Sequence, residues 1–132
     1  MYRYVVDERA HLIVAAFEGV VTDSDLFEYL AHMLGHTGYG PGWSSLIDLT
    51  TASSMNLTTA GVQRMRALPL HLEERLRGAR AAIIAHEGSP AFAMARMYER
   101  MGDSANYEIA VFTDRQGAMV WLHQNLAKPH HR

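Results

Sequence analysis

The chain has 132 residues, no cysteine, 48% hydrophobic residues and a formal net charge of −2 at pH 7. That length suffices for one domain with its own core, and the hydrophobic share argues against disorder over most of the chain. The missing cysteines exclude disulfides, a thiolate metal site and a thiol nucleophile.

No apolar run approaches membrane-spanning length, and the start at Tyr2, Arg3 and Tyr4 has no signal-peptide core. A cytoplasmic protein without a membrane span is expected. Residues 1–127 read as one domain and 128–132 as a flexible tail. Charge is uneven along the chain. Residues 1–50 carry seven acids against two arginines, and residues 51–132 carry ten basic residues against seven acids. Such an asymmetry can steer association with a partner or a second copy.

Residues 2–7 and 11–18 predict two strands joined by a turn at Asp7, Glu8, Arg9 and Ala10. Tyr2, Tyr4 and Val6 share one face of the first, with Arg3 and Val5 on the other, as suits an edge strand. Leu12 to Phe17 is apolar on both faces and belongs inside the sheet. A helix is predicted after Gly19. Thr22 caps it, Asp25 stands three residues on, and Val21 staples to Leu26. Its apolar stripe is Leu26, Tyr29, Leu30, Met33 and Leu34. Gly35, Gly38, Gly40, Pro41 and Gly42 end it in a loop.

Leu46 to Leu49 reads as the third strand. A polar loop of Thr50, Thr51, Ala52, Ser53, Ser54 and Met55 follows, then a helix entered through Asn56, Leu57, Thr58 and Thr59. That helix carries Val62, Met65 and Leu68. Pro69 is expected to interrupt it, with a second piece carrying Leu72 and Leu76 up to Gly78. Ala81 to Ala85 is an uninterrupted apolar run, the mark of a parallel strand covered on both faces. Ser89 and Pro90 open a helix, Ile109 to Phe112 forms the fifth strand, and Asp114 caps a last helix. The order ββαβαβαβα predicts an α/β fold: one five-stranded, mostly parallel sheet with an antiparallel N-terminal edge strand and covering helices.

The stretch Met55-Asn56-Leu57-Thr58-Thr59-Ala60-Gly61-Val62 resembles the switch segment of STAS domains, the anti-sigma-factor antagonists. The opening Leu12-Ile13-Val14, Phe17-Glu18-Gly19-Val20-Val21-Thr22 and the later Ala95-Arg96-Met97-Tyr98-Glu99 resemble the SpoIIAA-like subgroup, related to STAS and CRAL-TRIO lipid-binding folds. The resemblance implies a STAS-like domain over nearly the whole chain. It also implies a phosphoacceptor hydroxyl near a helix start, approximately at Thr58. This chain departs from the motif with Asn56 in place of Asp, Leu57 in place of Ser and Thr59 in place of Gly. Helix capping by Asn56 or Thr58 explains the same residues without a switch. A phosphate on Thr58 would place about two negative charges at a helix N-terminus, where the dipole tolerates them.

A strand ending in a carboxylate and feeding a hydroxyl-lined loop is a natural ligand position in an α/β sheet. Asp48, Ser53, Ser54, Asn56, Thr58 and Thr59 are therefore the candidate partner-binding or switch residues. Asp48 is costly to bury unpaired, so it needs a partner or a place at the strand mouth. His32 and His36 have metal-binding spacing but lie off the apolar stripe. His86, Glu87, Ser53, Ser54 and Ser89 make a triad on paper without a nucleophile elbow. The loop Gly38 to Trp43 precedes a strand, so it is no phosphate cradle, and Trp43 should pack at the sheet end. Arg64, Arg66, Arg75, Arg77 and Arg80 cluster locally but have no aromatic platform, so nucleic acid is not expected.

The helix from Ala91 to Met101 has almost no polar face in its first two turns, and such a helix needs cover on both sides. Phe92, Met94, Met97, Tyr98 and Met101 are candidate contacts for a homodimer or an apolar ligand. No catalytic set, metal site or cofactor is expected. Two functions follow: a non-enzymatic regulatory or protein-interaction module of STAS type, or a carrier of a small apolar ligand or lipid.

Overall fold

The structure is a computed structural model. It describes the backbone of residues 1–36, 40–71, 78–101 and 107–127, and the side chains of these except 66–71, 101, 107 and 125–127. The expected tail, the second helical piece with Leu72 and Leu76, and Arg75 and Arg77 lie outside the described residues.

The elements run β1 (Tyr2–Asp7), β2 (Leu12–Phe17), β3 (Gly19–Thr22), α1 (Asp23–Gly35), β4 (Ser44–Asp48), β5 (Ala52–Asn56), α2 (Thr59–His71), β6 (Ala79–Ile84), α3 (Pro90–Met101), β7 (Tyr107–Phe112) and α4 (Arg115–Ala127). Five strands form the main sheet in the order β1-β2-β4-β6-β7. β1 pairs antiparallel to β2 at the edge, and all other neighbours are parallel. This is the mixed α/β sheet expected from the element order.

Three details depart from expectation. Residues 52–55, expected as loop, and Asn56, expected at the helix entry, form β5, which pairs in parallel with β3 as a separate two-stranded ribbon. The polar Ala52-Ser53-Ser54-Met55-Asn56 lacks a strand's alternation, and its partner lies about 30 residues away, so local pattern does not reveal it. The stretch expected to lead straight into α1 supplies β3. α2 also runs through Pro69 to His71. Pro69 has no N–H to give the Met65 carbonyl, so the helix runs through it with one backbone bond fewer.

The helix starts follow the sequence signals. Thr22 and Asp25 form a capping box, with Asp25 N donating to Thr22 Oγ1 at 3.3 Å and Thr22 N to Asp25 Oδ2 at 3.0 Å. Ser89 Oγ accepts from Phe92 N at 3.0 Å, and Asp114 Oδ1 from Gly117 N at 2.7 Å.

Strand alternation sends Ile13, Ala15, Phe17, Leu49, Ile83 and Ala85 to one face, against Tyr29 and Met33 of α1 and Ala91 and Ala95 of α3. Val62 and Met65 of α2 are also buried, at 2% and 4% exposure. Leu46, Ala82 and Ile84 point the other way and meet Ala118 and Leu122 of α4. α4 covers that second face over β4, β6 and β7, and Val5 on β1 remains 69% exposed.

Arg80 ties α4 to the sheet. Its guanidinium pairs with Glu108 at 2.6 Å, donates to the Trp121 carbonyl at 3.2 Å and lies 4.6 Å over the Trp121 ring. It sits on β6 and not on a helix, apart from Arg64 on α2. Trp43 is buried at the sheet end, stacked on His11 at 4.9 Å between ring centroids.

Because Leu122 of α4 is fully buried against the second face, Leu122→Ala should destabilise the protein by about 2–5 kcal/mol. Urea denaturation checks this through a lowered midpoint with an unchanged slope.

Candidate functional site

Asp48 ends β4, half-buried, and its Oδ1 accepts from Thr50 N at 2.8 Å and from Thr50 Oγ1 at 2.6 Å. The carboxylate thus closes the turn that leaves the strand. Thr51 continues the turn, donating from Oγ1 to the Phe17 carbonyl at 3.2 Å while its own carbonyl accepts from Gly19 N at 3.2 Å. These bonds dock the loop onto the junction between β2 and β3 and start the ribbon. Ser53, Ser54 and Asn56 are exposed on β5, and Met55 between them turns inward.

Thr58 follows the ribbon and caps α2. Its Oγ1 accepts from Gly61 N at 2.9 Å, and its carbonyl accepts from Val62 N at 3.0 Å. The same hydroxyl donates to Asp23 Oδ2 at 2.6 Å, and Thr58 N donates to Asp23 Oδ1 at 3.2 Å. Asp23 is the first residue of α1. One carboxylate therefore stands at the start of its own helix and at the start of α2, where both dipoles favour a negative charge. Thr58 itself is exposed, as is Thr59 beside it.

Gly61 is fitted to this arrangement. A Cβ built there would overlap the Asp23 carboxylate. A glycine in the first turns of a helix otherwise costs stability, so its presence is explained by the close approach. Asp23, Ser24, Phe27, Glu28, Thr58, Gly61 and Arg64 line a polar crevice here, with the Arg64 guanidinium 4.7 Å above the Phe27 ring. Sequence reading missed Asp23 and placed Arg64 only in a local arginine cluster. The signal for Asp23 was indirect: a glycine at the third position of α2 that no turn requires.

Thr58 and Asp48, both candidates from sequence, engage different partners. Thr58 joins α1, and Asp48 serves its own turn. The paper triad does not assemble among the described hydrogen bonds. Ser89 Oγ donates to the His86 carbonyl at 2.6 Å, and His86 and Glu87 are exposed. His32 and His36 part company: His32 lies by Tyr2 and Tyr4, and His36 lies 3.4 Å from Glu8 and edge-on to Trp43. Among the described residues no three His, Asp or Glu gather as metal ligands.

A second feature is an apolar cavity of about 90 Å³ between the sheet and three helices. Phe17, Ile47, Ala81 and Ile83 form its floor, and Leu26, Tyr29 and Leu30 of α1 form one wall. Leu57, Val62 and Met65 close the α2 side, with Met94, Ala95 and Tyr98 of α3 opposite. Of the α3 candidates, Met94 and Tyr98 line the cavity. Phe92 packs against the core beside it, Met97 is 39% exposed on the outer side, and the Met101 side chain lies outside the described residues.

The fit of Gly61 to Asp23 is testable. Gly61→Ala should cost about 1–3 kcal/mol, and much less in an Asp23→Ala background, because the clash needs the carboxylate. Thermal or urea unfolding of the four proteins of this double-mutant cycle checks it.

The chain superposes on the crystal structure of an uncharacterized protein of the DUF3478 family from Shewanella loihica PV-4, which has a SpoIIAA-like fold. The TM-score is 0.58 and the identity 19%, over 92% of this chain and 93% of that one. No family model and no curated protein matches the chain. The fold is SpoIIAA-like.

Proposed function

We propose that the protein is a non-enzymatic regulatory module that binds a partner protein through the exposed face of Ser53, Ser54, Asn56, Thr58 and Thr59. The observation that carries this reading is the Asp23–Thr58 hydrogen bond. An accessible hydroxyl at a helix start holds a neighbouring helix in place. A phosphoryl group on that oxygen would remove the proton given to Asp23 and set about two negative charges against the carboxylate. Like charges at hydrogen-bond distance repel, so the starts of α1 and α2 would separate and the surface offered to a partner would change. Arg64, in the same crevice, supplies a cation that the phosphate can reach for. No helix among the described residues is long and apolar enough to cross a membrane, and the reading needs none.

The apolar cavity supports a second reading, carriage of a small apolar molecule. Its lining is almost wholly hydrocarbon, with a methionine from each of β5, α2 and α3.

Thr58→Glu places a charge against Asp23 and should change which host proteins are retained on the immobilised module. Mass spectrometry of the retained proteins checks this, with Thr58→Ser as the matched control. The same partners, retained equally by all three forms, would refute the switch.

A further inference from the structure

We propose that β1 pairs antiparallel with the β1 of a second copy of this chain, across a two-fold axis at Val5, so that two sheets run on as one.

β1 ends the main sheet, and among the described residues no strand lies beyond it. Natural proteins blunt such edges with lysine, proline, a bulge or a very short strand. β1 contains neither lysine nor proline. It pairs with β2 residue for residue along its whole length of six residues, with no shift of register.

The ladder to β2 fixes which backbone groups face the open edge. Met1 and Glu18 exchange both bonds: the Met1 amine donates to the Glu18 carbonyl at 3.3 Å, and Glu18 N donates to the Met1 carbonyl at 2.8 Å. Bonded and non-bonded pairs alternate along an antiparallel ladder. Arg3, Val5 and Asp7 therefore turn their backbone groups to β2. Tyr2, Tyr4 and Val6 turn theirs outward.

The side chains select the occupant of that edge. Arg3, Val5 and Asp7 are exposed on the face opposite the one where Tyr2, Tyr4 and Val6 pack on the core. Antiparallel pairing about Val5 sets Arg3 of each copy opposite Asp7 of the other, and Val5 opposite Val5. Tyr4 of each copy then exchanges backbone bonds with Val6 of the other. The charge pairs and the valines fall at non-bonded positions, where the Cα atoms come within about 4.5 Å and side chains meet most closely. An axis at Tyr4 sets Arg3 against Val5, and an axis at Val6 sets Asp7 against Val5, so neither matches the charges. Such a surface is self-complementary, as a two-fold interface requires.

Both charged groups have capacity left. Arg3 gives one bond to Glu18, at 2.8 Å, and its guanidinium has further donors. Asp7 Oδ1 accepts from Ala10 N at 3.1 Å, which leaves the second carboxylate oxygen. Val14 of β2 stands beside Val5, half-buried, so the central valines extend into an apolar strip between the two ion pairs.

Sedimentation equilibrium over a range of protein concentrations tests the pairing. Wild type should show a monomer–dimer equilibrium. Arg3→Asp sets carboxylates face to face, and Asp7→Arg sets guanidinium groups face to face. Each alone should weaken the dimer at least about tenfold, since like charges directly opposite one another are unfavourable. An equimolar mixture of the two variants restores opposite charges at every position and should recover the dimer. If circular dichroism shows that either variant is unfolded, Val5→Lys, at an exposed position, takes its place and should weaken the dimer as strongly. A wild type that stays monomeric up to millimolar concentration would overturn the proposal. So would a dimer that folded variants leave unchanged, or single-variant losses that mixing does not restore.

Discussion

One carboxylate, that of Asp23, serves two helix starts. It stands in the first turn of α1, accepts the Thr58 hydroxyl and amide at the mouth of α2, and fills space that any side chain at position 61 would need. The bond to Thr58 is charge-assisted, the kind of hydrogen bond that contributes most to stability. From it follow the glycine in α2, the entry of α2 beside α1, and the shape of the cavity that these helices enclose with the sheet. The exposed hydroxyl is what makes the arrangement open to change from outside.

The sheet explains why so much gathers on one side. Parallel strands covered on both faces need helices above and below. Here, among the described residues, α1, α2 and α3 share one face and α4 holds the other. The crowded face must accommodate three helices over strands rich in alanine, and Ala81 and Ala95 leave room where larger side chains would fill it. The void lies there. The sparse face is secured differently, by Arg80, which joins β6, Glu108 of β7 and Trp121 of α4 in one cluster. Its charge is consumed within the fold, so it adds nothing to a basic surface.

Most of the fold was legible because its signals are local. Uninterrupted apolar runs marked the inner strands, and Thr22, Ser89 and Asp114 marked helix starts that the structure uses. The ribbon of β3 and β5 was not legible, since Ser53 and Ser54 carry no apolar alternation and their partner strand is remote in sequence. Pro69 misled because a proline removes one backbone bond from a helix and need not end it. Thr58 was found from its place before a helix and from resemblance. Asp23, 35 residues away, was not, because Gly61 hints at a close approach without naming what approaches. Asp48 looked like a binding carboxylate for the same reasons that make it a turn former: it is polar, at a strand end and followed by a threonine.

The central claim is that Asp23 holds the start of α2 in place. Amide hydrogen exchange on wild type and Asp23→Asn tests it most directly, since the Thr58 amide bonds the carboxylate and the Gly61 amide bonds the Thr58 hydroxyl. The account predicts faster exchange from Thr58 through Val62 in the variant, with the amides of β4 and β6 unchanged. Unaltered protection at Thr58 and Gly61 would contradict it.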